Sequence, residues 1–249
     1  MIYYFQYEKE NMTAYCENAI LRMPELLRQE FGRISRPENR LEHLLAWSLL
    51  EKAVQTEYGI DSLEQMDICR TEKGKPYSRA YPELYFNLSH CESACACIVS
   101  SGQVGIDVER KFPYRPSLAK KVCHEEEWKY LNSLPEEGED RAEFLRILWS
   151  VKESLVKYEG SGLGYGVERL NVMPLFAVPS GRCKCEEAVF PLRRECVPGT
   201  DKISLHQVFE VGDMGRIEVQ VMQSEYFTLA ASSRARGLKI VRIEELSSF

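Results

Sequence analysis

The 249-residue sequence predicts an α+β protein built as two pseudo-symmetric α/β lobes, residues 1–104 and 105–249, with the active site at the interface between them. Three observations carry this expectation. Long runs with apolar residues at 3–4 spacing and short alternating runs occur in both halves of the chain. A tryptophan-led helical segment occurs twice, and so does a strand–turn–strand segment.

The first long helix starts at Ser35-Arg36-Pro37-Glu38, which reads as a capping box with proline in the first turn. It continues through Leu41, Leu44, Leu45, Ser48 and Leu49 and stops at Gly59. The second runs from about Asp140 through Phe144, Ile147, Leu148, Val151 and Leu155 to Gly160. Runs rich in β-branched and aromatic residues predict strands near 2–7, 84–88, 94–100, 104–109, 204–211, 216–222, 226–231 and 238–243. The segment 176–203 reads as a variable insertion with no assigned role.

The helices starting at Trp47 and Trp149 superimpose as WSLLEKAVQTEYG on WSVKESLVKYEGS, pairing Glu51 with Glu153. Further on, CACIVSSGQVGIDVER lies over FTLAASSRARGLKIVR, pairing Gly105 with Gly237. The order of features is kept, with about thirty extra residues in the second copy. Two related lobes packed face to face place a ligand where they meet.

A formal charge of −6 argues against non-specific binding to nucleic acid or an anionic membrane, although local basic clusters remain compatible with it. The N-terminus lacks a basic stretch followed by an apolar run, and no apolar segment is long enough to cross a bilayer, so the expected compartment is the cytoplasm. Nine cysteines, an odd number, favour free thiols over a disulfide framework. Cys91, Cys95 and Cys97 lack zinc-site spacing and read as small apolar residues.

In Gly105-Ile106-Asp107-Val108-Glu109 the two acids project from one face of a strand. Adjacent carboxylates repel unless water or a cation lies between them, and an all-oxygen set without His or Cys suits Mg²⁺ or Mn²⁺. A strand with a solvated edge explains the pattern equally well. Glu153 and Lys157 lie one turn apart on one helical face, which by itself describes an exposed salt bridge. In the other copy of each segment Lys152 and Lys157 are matched by Leu50 and Gln55, and Asp107 and Glu109 by Lys239 and Val241, so each half offers a different part of one site: acids on a strand, Glu plus Lys on a helix. Gly74-Lys75-Pro76 opens a turn, and Lys75 and His90 are donors suited to phosphate oxygens. Arg22, Arg28, Arg33, Arg36 and Arg40 form a basic cluster.

These segments, in this order, resemble those of the Sfp-type 4′-phosphopantetheinyl transferases. The shared pattern is a GKP segment at 74–76, FN-x-SH at 86–90, G-[IV]-D-[IV]-E at 105–109 and W-x-x-K-E-x-x-x-K-x-x-G at 149–160. The resemblance implies the 4′-phosphopantetheinyl transferase fold, duplicated in one chain and acting as a monomer. It implies transfer of phosphopantetheine from coenzyme A to a serine hydroxyl of an apo carrier protein, releasing adenosine 3′,5′-bisphosphate. It assigns the metal to Asp107, Glu109 and Glu153, and the serine proton to Glu153 or a metal-bound hydroxide beside it. It further assigns the pyrophosphate to Lys157 and the nucleotide and its phosphates to Lys75, Ser89 and His90. Arg28, Arg36 and Arg40 are the candidates for the 3′-phosphate, although their spacing departs from the family's usual arginine before the first long helix. Cys91 stands where a serine usually follows the SH pair. The competing readings are a non-catalytic coenzyme A or carrier-protein binding module and a Mg²⁺-dependent phosphoesterase or nucleotidyltransferase.

Overall fold

The computed structural model describes residues 1–8, 15–160, 162, 166–176 and 202–246. In chain order the elements are β1 (Ile2–Gln6), α1 (Tyr15–Arg22), α2 (Glu25–Gly32), α3 (Pro37–Tyr58), β2 (Ile68–Arg70), β3 (Pro76–Ser78), β4 (Tyr85–Cys91), β5 (Ala94–Ser100) and β6 (Val104–Arg110). There follow α4 (Pro116–Val122), α5 (Glu125–Ser133), α6 (Asp140–Glu159), β7 (Lys202–Glu210), β8 (Arg216–Gln223), β9 (Phe227–Ser233) and β10 (Ile240–Ile243).

The two long helices and all eight predicted strands are present. The capping box at Ser35 is not formed. Arg36 precedes proline and is extended, at φ −88° and ψ 121°, so it becomes the N-cap and leaves Ser35 one residue outside the helix. Gly59 ends α3 in the left-handed region, as expected. A capping box does occur at the start of α5, where Glu127 Oε2 accepts the N–H of His124 at 2.7 Å.

Two four-stranded sheets, β10-β1-β5-β4 and β6-β9-β8-β7, organise the molecule. Strand alternation divides each between two cores. Tyr3, Phe5, Cys95, Cys97 and Val99 face α3, and Ile217, Val219 and Val221 join the core built on α6. The opposite faces meet each other: Ile2, Tyr4, Ala96 and Ile98 share a third core with Ile106, Val108, Leu229 and Ala231. The result is a helix–sheet–sheet–helix stack.

β10 returns to the first sheet, where it pairs in parallel with β1, and Leu246 enters the core beneath α3. An edge strand with free backbone groups attracts the terminal strand irrespective of its place in the sequence. Cys69, Cys91, Cys95, Cys97 and Cys123 are free thiols. No helix among the described residues is long and apolar enough to cross a membrane. The insertion expected at 176–203 falls almost wholly outside the described residues.

Candidate active site

The site is the contact between α6 and β6. A Cβ on Gly105 would lie 2.0 Å from Ser154 O and 2.3 Å from Tyr158 N, so only glycine lets the helix backbone rest on the strand. From there Gly105, Asp107 and Glu109 run along the strand face turned to the helix. Asp107 meets Lys157, and Glu109 accepts a 3.0 Å bond from the indole N–H of Trp149. The spacing matches on both sides: four strand steps and nine helix steps each cover roughly 13 Å.

Asp107 is buried, and its Oδ1 accepts Lys157 Nζ at 2.8 Å and Ser89 Oγ at 3.2 Å. Ser89 Oγ in turn accepts Lys157 Nζ at 2.9 Å and the Val108 N–H at 3.1 Å. Two positions earlier Asn87 Oδ1 accepts the Ile106 N–H at 3.0 Å. Side chains of β4 thereby complete the free edge of β6 and join the two sheets. Burial, then the neighbouring Asp107 charge, raises the Glu109 carboxyl from the usual carboxylate range to about 7. Glu153 is raised as well, first by burial and then by Asp107, with Lys157 opposing.

Among the described residues no three His, Cys, Asp or Glu side chains converge as a preformed cation cage, and the Lys157 ammonium lies against Asp107. The donor set nevertheless suits a hard divalent cation. Asp107 Oδ2 and Glu153 Oε1 are buried without a hydrogen-bond partner, and Glu109 lies beside them in the same electrostatic network. Such oxygens are costly to bury unpaired.

Other predicted residues are placed differently. Ser89 and His90 project to opposite faces of β4 because the side-chain period of a strand is two. Ser89 joins the Asp107 network, whereas His90 Nδ1 lies 3.2 Å from Glu42 Oε2 and its ring packs 4.3 Å from that of His43 on α3. Lys75 does not extend a free ammonium. It donates to Lys157 O at 2.6 Å, Tyr158 O at 2.9 Å and Val104 O at 3.2 Å. Burial lowers its pKa from 10.5 to about 8, partly offset by Glu159, so it stays protonated at neutral pH. Arg28 pairs with Glu25 on its own helix, Arg36 is exposed at the α3 N-cap, and Arg40 donates to Ile34 O at 2.8 Å. Among the described residues no contact links these three to Asp107, Glu153 or Lys157.

Sequence reasoning gave no role to Asn87, which shares the strand face of Ser89, and read Trp149 only as the start of the repeated helix. The period-two position of Asn87 was the available signal. Trp149 had none, because its indole N–H finds Glu109 only when α6 lies on β6.

Two neighbouring cavities open beside these residues. One of about 270 Å³ is lined by Lys73, Pro76, Asn87, Glu153, Lys157 and Gly160, among others. A larger one of about 680 Å³ extends past Lys73 and Lys75 to Tyr77, Tyr85, Gln103 and Glu159.

Residues 103–193 match the family model described as the 4′-phosphopantetheinyl transferase superfamily. The chain is 30% identical over 145 residues to a 4′-phosphopantetheinyl transferase of Bacillus subtilis, covering 58% of this chain and 63% of that protein. It is 33% identical over 124 residues to a 4′-phosphopantetheinyl transferase of Bacillus pumilus, covering 50% and 52%. It is 36% identical over 114 residues to the L-aminoadipate-semialdehyde dehydrogenase-phosphopantetheinyl transferase of Homo sapiens, covering 41% and 37%. The chain spans less than two thirds of the length of each of these relatives.

Proposed function

We propose that this chain, a member of the Sfp-type 4′-phosphopantetheinyl transferase family, transfers the phosphopantetheine arm of coenzyme A to a serine hydroxyl of an apo carrier protein. The observation that carries the reading is the meeting of Asp107, Glu109, Glu153 and Lys157 at one interface, with Asp107 Oδ2 and Glu153 Oε1 left unpaired. The serine oxygen bonds to the phosphorus bearing the pantetheine arm. The bond from that phosphorus to the bridging oxygen breaks, and adenosine 3′,5′-bisphosphate departs.

Glu153, with its carboxyl raised by burial, is the base that takes the serine proton. Lys157, held by Asp107 and Ser89 and bordering the smaller cavity, offsets charge on the pyrophosphate. Trp149 fixes the carboxylate of Glu109 through its indole N–H. A Mg²⁺ ion, or Mn²⁺, held by Asp107, Glu109 and Glu153 would polarise the phosphoryl group when bound. The enzyme works as a cytoplasmic monomer in this reading, since one chain supplies both sides of the cleft. The two helix-covered sheets are taken as copies of one ancestral unit, supported by the correspondence of Trp47 with Trp149 and of the β5–β6 segment with β9–β10.

The test is a mass-shift assay with Mg²⁺, coenzyme A and two unlike apo carrier proteins, one from fatty-acid and one from peptide synthesis. A phosphopantetheine mass on either supports the reading. Unmodified carriers together with saturable coenzyme A binding would replace it with a non-catalytic binding module.

A further inference from the structure

Arg146 is a buried cation that takes no part in the proposed chemistry. It lies on α6 one turn before Trp149, and only 5% of its surface meets solvent. Its Nη1 donates to Phe112 O at 2.6 Å, and its Nη2 donates to Glu139 Oε2 at 3.0 Å, at the helix N-cap. Its Nε is buried without a hydrogen-bond partner. Keeping a charge there is costly, because the Glu139 side chain is 66% exposed and offsets little of the lost hydration. A methionine would fill the space without that cost, so the guanidinium serves its contacts rather than the packing.

Phe112 lies where β6 runs out. The ladder to β9 ends with Arg110 opposite Phe227, and the Lys111 N–H still reaches Tyr226 O at 2.9 Å. Beyond that point Pro113 has no N–H to donate and restricts Phe112 to extended backbone. The Phe112 ring joins the core under α6, with the Arg115 guanidinium 4.7 Å from its centroid. Its carbonyl is therefore a buried acceptor past the end of the sheet, and Arg146 satisfies it. Glu109 stands three residues before Phe112, and Trp149 three residues after Arg146. The bonds from Trp149 to Glu109 and from Arg146 to Phe112 O are thus successive rungs between the same two stretches of chain.

We propose that Arg146 is a positioning residue for Glu109. By holding the chain just past the last ladder pair, it keeps the end of β6 from fraying and the Glu109 carboxylate at the Trp149 indole. Asp107 needs no such support, because it lies two residues deeper in the strand and has Lys157 and Ser89 as partners. The benefit to catalysis rests on the transferase reading, in which Glu109 helps to hold a divalent cation. The tie between Arg146 and the strand end rests on the fold alone.

The experiment compares the full chain with Arg146→Met and Arg146→Lys. Without metal, nitrogen–proton NMR follows the indole N–H of Trp149, identified by its loss in Trp149→Phe, and hydrogen exchange follows the amides of residues 108–112. With coenzyme A and an apo carrier protein, transfer is titrated with Mg²⁺. Arg146→Met should move the indole resonance toward that of a solvent-exposed tryptophan and speed exchange at 108–112. It should also raise the Mg²⁺ concentration for half-maximal transfer about tenfold, as expected for a lost outer support of a metal ligand, with coenzyme A affinity at the wild-type value. Arg146→Lys keeps the charge but not the two-armed fork, so it should shift the same readouts by less, and it carries the test alone if Arg146→Met does not fold. An arginine that only supports folding would lower the melting temperature and leave the indole resonance and Mg²⁺ requirement as in the wild type, and that result overturns the proposal. Absence of transfer by the wild type sinks the transferase reading, while the indole and exchange readouts still decide the role of Arg146.

Discussion

Lys157 Nζ on α6 lies 2.8 Å from Asp107 Oδ1 on β6, with the lysine part-exposed and the aspartate buried. Lys157→Met removes the cation and leaves a buried carboxylate held only by Ser89. Because one partner faces solvent, the expected cost is about 1–3 kcal/mol, below that of breaking a fully buried pair. Urea unfolding would measure it, and transfer activity should fall at the same time. Wild-type stability in this variant would show the contact to be incidental.

Glu153→Gln keeps the shape of the side chain and removes its charge. The prediction is a folded protein with wild-type coenzyme A affinity and no detectable transfer. An exposed salt bridge between Glu153 and Lys157 predicts almost unchanged turnover instead, so kcat decides between the two.

Gly105→Ala places a methyl 2.0 Å from Ser154 O. Both neighbours are backbone and cannot rotate away, so α6 must lift from β6. A loss of more than about 3 kcal/mol is expected, together with weaker protection of the α6 amides from exchange.

Lys152, next to the proposed base, is fully buried with Glu127 at 2.5 Å, and also donates to Val122 O and Val167 O. Burial lowers its pKa, with Glu127 opposing. Lys152→Met should cost about 3–5 kcal/mol, because it strands the buried carboxylate, whereas the double change with Glu127→Leu should recover most of that. Additive losses in denaturant unfolding would contradict the pairing.

The pKa of His43 is lowered from 6.5 to about 4, chiefly by burial and next by His90, with Glu42 and Glu30 opposing and Arg70 adding to the effect. Between those values the unfolded chain binds more protons than the folded one, so this group's contribution is full above pH 6.5 and is lost as pH falls toward 4. Melting temperature should therefore drop on acidification through this window, and less so in His43→Gln.

The sequence carried the long helices through apolar spacing and the strands through alternation, since these patterns repeat over many residues and average out local exceptions. The 3-residue strands β2 and β3 were too short for any pattern to emerge. Helices α1, α2, α4 and α5 were also passed over. Ser35 illustrates a local signal overruled locally, because the residue before Pro37 took the cap.

Within the site, the face shared by Asp107 and Glu109 and that shared by Glu153 and Lys157 follow from periods of 2 and 3.6, and needed no structure. What period could not supply was the partner of each face. The backbone contact at Gly105, the indole of Trp149 on Glu109, and the turn of Ser89 and His90 to opposite sides depend on how α6, β4 and β6 lie against one another. The inward path of Lys75 has the same origin. Periodicity orients a side chain relative to its own element, whereas carbonyls and carboxylates brought together from residues far apart in the chain exist only after the sheets have packed. The sequence therefore determined which residues could act together, and the packing of α6 on β6 decided that Lys157 meets Asp107 while Lys75 meets the carbonyls at the end of the helix.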